Sequence, residues 1–119
     1  WKYAGGMGAQ AAPAAKTGDA TLTITELLAG LITATKATAV AFTLPTGTLT
    51  DAGFLGGTAA VDQSFDWTII NLGSSSGATT LNAGTGHTIV GNAVVAISTS
   101  ARFRTRKTAA NTYVTYRSA

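Results

Sequence analysis

His87 is the one histidine of the chain and the side chain best suited to acid–base chemistry. It follows the glycine-rich stretch Ala83-Gly84-Thr85-Gly86 and enters a short apolar run. No Gly-x-Ser-x-Gly nucleophile elbow flanks it, so no neighbouring serine is placed for it to activate. A lone histidine after such a turn is typical of a surface loop, and that is the position we predict for His87.

The acidic residues do not form a pattern that a glycosidase or a metal site needs. Glycoside hydrolysis uses two carboxylates facing each other across a sugar, and metal ions need clustered Cys, His, Asp or Glu ligands. The sequence has no cysteine, and its acids are scattered: Asp19, Glu26, Asp51, Asp62 and Asp66. Gly84-Thr85-Gly86 is too short for a phosphate-binding loop. We therefore predict no catalytic residue, no metal and no cofactor, and expect that the chain is not an enzyme.

An arginine stripe carries the one concentrated charge. Arg102, Arg104 and Arg106 alternate with Phe103 and Thr105, so on a strand the three cations point to one side, about 7 Å apart. The stripe fits a solvated strand face, a face that docks on an acidic protein surface, or a nucleic-acid contact. The nucleic-acid interpretation is the weakest, because no aromatic side chain shares that face to stack on bases.

Composition favours a folded domain that packs against other proteins. Hydrophobic residues make up 45% of the 119 residues and charged residues only 11%, which is not the composition of a disordered chain. Residues 1–66 hold three lysines and five acids, a net charge of −2. Residues 67–119 hold five basic residues and no acid. Such a separation of charge bears on partners rather than on fold.

Short alternating runs separated by glycine, proline and asparagine predict an all-β fold. The clearest strand is 64–72, where Phe65, Trp67 and Ile69 share one face. A strand is also predicted over 21–25, and helical turns over 26–30 and 46–54. In a final strand over 112–117 we expect the core-facing side chains to be Val114 and Tyr116.

About eight such strands, spaced roughly 8–12 residues apart, predict a small β-sandwich or jelly-roll-like barrel over residues 19–119. Residues 1–18 are rich in alanine and glycine and predict an extended N-terminal arm. Trp1 and Tyr3 near its tip are either a fraying end or anchors for a neighbour's pocket. No signal peptide is recognisable, and no apolar run reaches the roughly 18 residues of a membrane helix, so we expect no membrane contact.

Several segments resemble a known group of proteins. The segments are ATLTITELLAGLIT, AFTLPTGTLTDAG, DQSFDWTIINLGSSSGATTLNAGTGHTIVG and ARFRTRKTAANTYVTYR. In this order they resemble small head decoration (cement) proteins of tailed bacteriophages, with related domains in phage fibre and virion surface proteins, and the resemblance extends over about residues 18–117. Their landmarks are Thr43-Leu44-Pro45-Thr46, Ser64-Phe65-Asp66-Trp67 with Asn71, Ala83-Gly84-Thr85-Gly86, and Phe103-Arg104 with Arg106.

The resemblance implies a virion structural protein on the outer surface of an icosahedral capsid. It implies trimers that clamp subunits of the major capsid protein, and it transfers no site residue. From the residues themselves we predict a contact set of Trp1, Tyr3, Arg102, Arg104, Arg106, Lys107 and Arg117. The alternative is a carbohydrate-binding or adhesive module using Trp67, Asn71, Asn82 and Asn92. In that alternative Trp67 is the weak point, because its alternation with Phe65 and Ile69 indicates a core position.

Overall fold

Two β-sheets form the protein in the computed structural model, which describes residues 9–73 and 76–119. The first six strands are β1 (Ala14–Lys16), β2 (Ala20–Thr21), β3 (Leu31–Ala34), β4 (Val40–Thr43), β5 (Ser64–Asn71) and β6 (Thr79–Asn82). The last four are β7 (His87–Val90), β8 (Val94–Val95), β9 (Ser100–Ala109) and β10 (Thr112–Arg117). The all-β prediction is confirmed, with ten strands in the described residues instead of about eight.

The chain alternates between the two sheets. A six-stranded sheet has the order β1-β3-β5-β9-β10-β7, and a four-stranded sheet has the order β2-β4-β6-β8. Strands β1, β3 and β5 pair in parallel, as do β2, β4 and β6, so these six strands wind as successive coils. Strand β8 pairs antiparallel with β6, β9 with β5, and β10 with β9, and β7 pairs in parallel with β10. These parallel coils distinguish the fold from a jelly roll, whose strands pair antiparallel.

Two short α-helices connect successive strands of this winding, one between β2 and β3 and the other between β4 and β5. Helix α1 (Ile24–Ala29) begins at a capping box in which Thr23 and Glu26 bond each other's backbone N–H groups, and ends at Gly30 with φ of 98°. The predicted strand over 21–25 is therefore wrong beyond Thr21, because capping outweighs the alternation of Leu22 and Ile24. Helix α2 (Gly47–Gly53) is capped by Thr46, which confirms the helical prediction for that segment. Within the described residues no helix is long and apolar enough to cross a bilayer.

The apolar core lies between the sheets. Trp67 and Phe103 stack with ring centroids 4.8 Å apart, and both are buried, so the core position predicted for Trp67 is confirmed. Buried partners from both sheets surround them: Ile32, Val40, Phe42, Ile69, Leu81 and Val95. A second cluster lies against α2 and contains Phe54, Ala59 and Tyr113. One face of the six-stranded sheet, here called the outer face, points away from this core.

The predicted core residues of β10 are wrong by one position. Tyr113 and Thr115 are fully buried, whereas Val114 and Tyr116 are only half-buried on the outer face. The ladder between β9 and β10 shifts register between Thr112 and Tyr113. Because side chains alternate along a strand, a shift of one residue exchanges the two faces.

Part of the predicted N-terminal arm belongs to the sheet. Residues Ala14–Lys16 form β1 and pair in parallel with β3. The Lys16 ammonium lies 2.6 Å from the Glu26 carboxylate of α1. Lys16 and Thr23 lower the pKa of Glu26, although burial opposes them. The boundary at residue 18 thus differs from the structure, since 14–16 read as low-complexity sequence but find a strand partner.

Replacing either of two buried threonines by valine should change the free energy of unfolding in opposite directions, because their hydroxyls differ in hydrogen bonding. Thr79 and Thr105 are both fully buried, but the Thr79 hydroxyl has no hydrogen-bond partner among the described residues. The Thr105 hydroxyl accepts a bond from the Trp67 indole N–H at 3.0 Å. We expect Thr79→Val to raise the free energy of unfolding by about 1 kcal/mol and Thr105→Val to lower it by about 1–3 kcal/mol. Urea denaturation of both variants checks this, and equal shifts would contradict it.

Candidate functional site

The predicted arginine stripe lies on the outer face of the six-stranded sheet. Along β9, Phe103 and Thr105 are buried in the core, so Arg102, Arg104 and Arg106 point to the opposite side, as the alternation predicted. Strand β5 lies on one side of β9 and β10 on the other. The surroundings of the three guanidinium groups are therefore set by the outward side chains of these two neighbours.

Arg104 pairs across the sheet with Asp66 of β5. The two residues are directly opposite in register, and the guanidinium donates to both carboxylate oxygens at 2.7 and 3.0 Å. The hydrogen bond from Arg104 holds the pKa of Asp66 below its ordinary value of 3.8, and the more distant charge of Arg102 adds to this. Both side chains are about half exposed, so the pair contributes little to stability. Its effect is to neutralise the middle of the stripe.

Arg106 is held by two partners. Its guanidinium donates to the Asp62 carboxylate at 2.6 Å and to the Tyr116 hydroxyl at 2.8 and 3.1 Å. It also lies over the Tyr116 ring, 5.7 Å from the centroid. Arg102 makes no ion pair within the described part of the chain. The three arginines and two acids thus leave about one net positive charge on the face instead of three.

Apolar side chains extend this face toward its edge. Register places Tyr116 beside Arg104 and Val90 of β7 beside Tyr116, so one row runs Val90–Tyr116–Arg104–Asp66 across four strands. Val90 is 52% exposed. Val114 lies outward in the next row, opposite Arg106. The sequence-based contact set missed these apolar residues, because it placed Val114 and Tyr116 in the core. For the same reason, the expectation that no aromatic side chain shares the arginine face is wrong, since Tyr116 lies on it.

Lys107 and Arg117 lie away from the outer face. Lys107 alternates inward, and its ammonium lies 2.7 Å from the Asp51 carboxylate of α2 and 2.9 Å from the Ala59 carbonyl. Arg117 donates to the carbonyl of Val94 at 2.6 Å, on strand β8 of the other sheet. The described residues of the predicted contact set therefore do not form one surface. Trp1 and Tyr3 lie outside the described residues.

Asp51 is the centre of a polar cluster beneath α2. Its carboxylate accepts the Tyr113 hydroxyl at 2.8 Å and the Asn111 amide at 3.0 Å, in addition to Lys107. Lys107 first, then Asn111 and Tyr113, hold the pKa of Asp51 below its ordinary value of 3.8. Burial, and then the bond to Asp51, raises the pKa of Tyr113 above its ordinary 10.0. This cluster ties α2 to the hairpin between β9 and β10.

His87 is buried, and the prediction of a surface loop position is wrong. Its side chain points into the core from β7 and is 4% exposed. Nδ1 lies 3.3 Å from the Pro45 carbonyl oxygen and Nε2 lies 2.6 Å from the Thr115 hydroxyl. Burial lowers the pKa of His87 below its ordinary value of 6.5, although the bond to Pro45 opposes this. The glycine-rich turn that suggested exposure instead packs tightly against α2.

The residues of the carbohydrate-binding alternative are divided between core and surface. Trp67 is 1% exposed and Asn71 2% exposed, and both make internal hydrogen bonds. Asn82 and Asn92 are exposed. An aromatic platform for a sugar ring therefore cannot come from Trp67.

The described residues contain no group of three or more metal-ligating side chains. Residues 73–77 match the letters Gly-x-Ser-x-Gly, but they join strand β5 to strand β6, whereas a nucleophile elbow joins a strand to a helix. The outer face is thus a sheet surface with two of its three arginines paired to acids and with exposed apolar side chains beside them.

Comparison of the chain with known protein families, with curated proteins and with solved structures finds no match.

Proposed function

We propose that this protein is a virion structural protein, a decoration subunit that binds the outer surface of an icosahedral phage capsid and stabilises it. Its partner would be the major capsid protein, and it would act as a homo-oligomer, in the form of trimers. The outer face supports the proposal, because it presents a row of side chains suited to contact with a protein: Val90, Tyr116, Arg104 and Asp66. Tyrosine and arginine beside apolar groups are the residues that interfaces favour.

The electrostatics of the outer face favour a protein partner over a nucleic acid. A polyanion binds through unpaired cations, and each phosphate contact makes affinity fall with salt. Here Asp66 and Asp62 occupy two of the three guanidinium groups of β9. A protein surface with its own mixture of polar and apolar groups matches such a face better.

The stabilising mechanism would be mass action. A subunit that binds the assembled shell, and not its separated parts, shifts the equilibrium toward the assembled state. Many weak copies act together on one particle, so a modest affinity for each site is enough. The expected consequence is that heads saturated with the protein withstand a higher temperature than bare heads.

Two column measurements separate the proposal from its alternatives. We expect the protein to pass through a heparin column at 150 mM salt and to show no retention on immobilised sugars. Strong heparin retention that falls steeply with salt would indicate nucleic-acid binding instead. Retention on a sugar column, reversed by the free sugar, would indicate the adhesive or carbohydrate-binding function.

A further inference from the structure

His87 stands at the end of a chain of buried hydrogen bonds that crosses the inner side of the six-stranded sheet. The Trp67 indole nitrogen lies 3.0 Å from the Thr105 hydroxyl, which lies 2.8 Å from the Thr115 hydroxyl. The Thr115 hydroxyl lies 2.6 Å from His87 Nε2, and His87 Nδ1 lies 3.3 Å from the Pro45 carbonyl. All four side chains are 4% exposed or less.

The groups at the two ends of this series of hydrogen bonds, the Trp67 N–H and the Pro45 carbonyl, fix the direction of every bond in it. The Pro45 carbonyl can only accept, so Nδ1 carries the proton, and in a neutral imidazole Nε2 then accepts. Thr115 must donate to Nε2, and Thr105 must donate to Thr115. The indole N–H of Trp67 can only donate, and it fills the remaining acceptor position on Thr105. One neutral tautomer therefore satisfies the whole chain.

A second proton on His87 breaks this order. Nε2–H becomes a donor to the Thr115 oxygen and no longer accepts the Thr115 O–H. Thr105 and Thr115 can then donate only to each other within the chain, so one of the two buried hydroxyls is left without an acceptor there. Among the described residues, the carboxylate linked to this site is Asp51, which accepts the hydroxyl of Tyr113, a ring 6.2 Å from the imidazole between centroids. That carboxylate is already paired with Lys107.

The segment that covers His87 is fastened by few bonds. In loop 83–86, the Thr85 carbonyl accepts a hydrogen bond from the Gly47 amide at 2.8 Å. The Gly86 carbonyl accepts one from the Tyr113 amide at 2.9 Å. Strand β7 is an edge strand that pairs with β10 alone. Arg117 of β10 also lies beside the end of this strand, near Gly91, and its guanidinium is turned to β8. Hydration of an imidazolium at this position therefore requires the loop and β7 to move away from α2 and β10.

We propose that His87 and the hydroxyl chain form an acid-sensitive contact, which holds loop 83–86 and β7 in place at neutral pH and releases them when the imidazole is protonated. The unfolded or opened state binds the proton more readily than the closed one. The contact is therefore complete above pH 6.5, the ordinary pKa of histidine, and weakens as the pH falls below it.

Urea denaturation of the full chain and of His87→Gln between pH 7.5 and 5.5 tests the contact. Glutamine keeps a donor and an acceptor but does not titrate. We expect the folding equilibrium constant of the native chain to fall as the pH is lowered. One titrating group can lower it by at most about tenfold per pH unit. The constant for His87→Gln should change less than about twofold over the same range. Equal pH dependence of the two chains would overturn the proposal.

Two measurements on the unaltered protein keep the proposal testable if His87→Gln fails to fold. The ¹⁵N chemical shifts of the imidazole at pH 7.5 should report the Nδ1–H tautomer, and an Nε2–H tautomer would contradict the chain. Hydrogen-exchange protection, corrected for intrinsic rates, should fall on acidification for the Gly47 and Tyr113 amides. The Leu72 amide, bonded to Ala34 at 2.8 Å, serves as control. The Leu72 amide should stay better protected than the other two at each pH, whereas equal protection at all three would indicate global unfolding and refute local release.

Discussion

Gly47→Ala will lower the free energy of unfolding by at least about 3 kcal/mol, or prevent folding altogether. A β-carbon at this position would lie 1.9 Å from the backbone oxygen of Asn111 and 2.8 Å from that of Gly86. Both obstacles are backbone atoms, so no side chain can turn aside to make room. The contact can be relieved only if α2 separates from the hairpin between β9 and β10.

Gly18→Ala is the matched control for this substitution. A β-carbon on Gly18 meets no atom within 4 Å, so we expect a change within about 0.5 kcal/mol. Circular dichroism during urea denaturation measures both variants. If Gly47→Ala unfolds within about 1 kcal/mol of the native chain, α2 is not packed on the hairpin as described.

Asp51→Ala will lower the free energy of unfolding by about 3 kcal/mol. The substitution removes the acceptor of Lys107, Tyr113 and Asn111 at once. The side chains of Lys107 and Asp51 are only 11% and 17% exposed, so the lysine would keep its charge in a mostly buried place. A buried charge without its partner is the costly outcome, rather than the loss of the attraction itself.

Asp62→Asn also removes a carboxylate paired with a cation and serves as control, because asparagine tolerates the positive φ of 75° at this position. Asp62 is 72% exposed, so solvent screens its pair with Arg106, and we expect a loss below about 1 kcal/mol. Acid gives an independent check on Asp51. Because its folded pKa lies below 3.8, its contribution is complete above that pH and is lost as the pH falls further. Equal losses in Asp51→Ala and Asp62→Asn would contradict the central position of Asp51.

Local patterns predicted much of the secondary structure and one half of the candidate site. The alternation around Phe103 placed Arg102, Arg104 and Arg106 on one face, since a strand has a period of two. The short helices at 24–29 and 47–53 end or begin at glycine and threonine signals. These features depend on neighbours within a few residues, which the sequence displays directly.

The features that the sequence did not predict depend on distant partners. Whether β1, β3 and β5 pair in parallel is decided by how connections cross between sheets, which alternation does not encode. The burial of His87 needs Pro45 and Thr115, which lie 42 and 28 residues away. The one-residue error in β10 comes from the register shift at Thr112. Because this error placed Val114 and Tyr116 in the core, the sequence did not predict that they lie on the outer face.

Co-sedimentation with expanded, decoration-free heads tests the proposed function most directly. Two lysine variants of similar exposure locate the contact: Val90→Lys on the outer face, 52% exposed in the native chain, and Leu49→Lys on α2, 58% exposed. A chain that begins at Ala9 keeps β1 and tests the predicted role of Trp1 and Tyr3. We expect saturable binding of the native chain and of Leu49→Lys, binding weakened about tenfold or more by Val90→Lys, and weaker binding without residues 1–8. Failure of the native chain to sediment with the heads would contradict the decoration function.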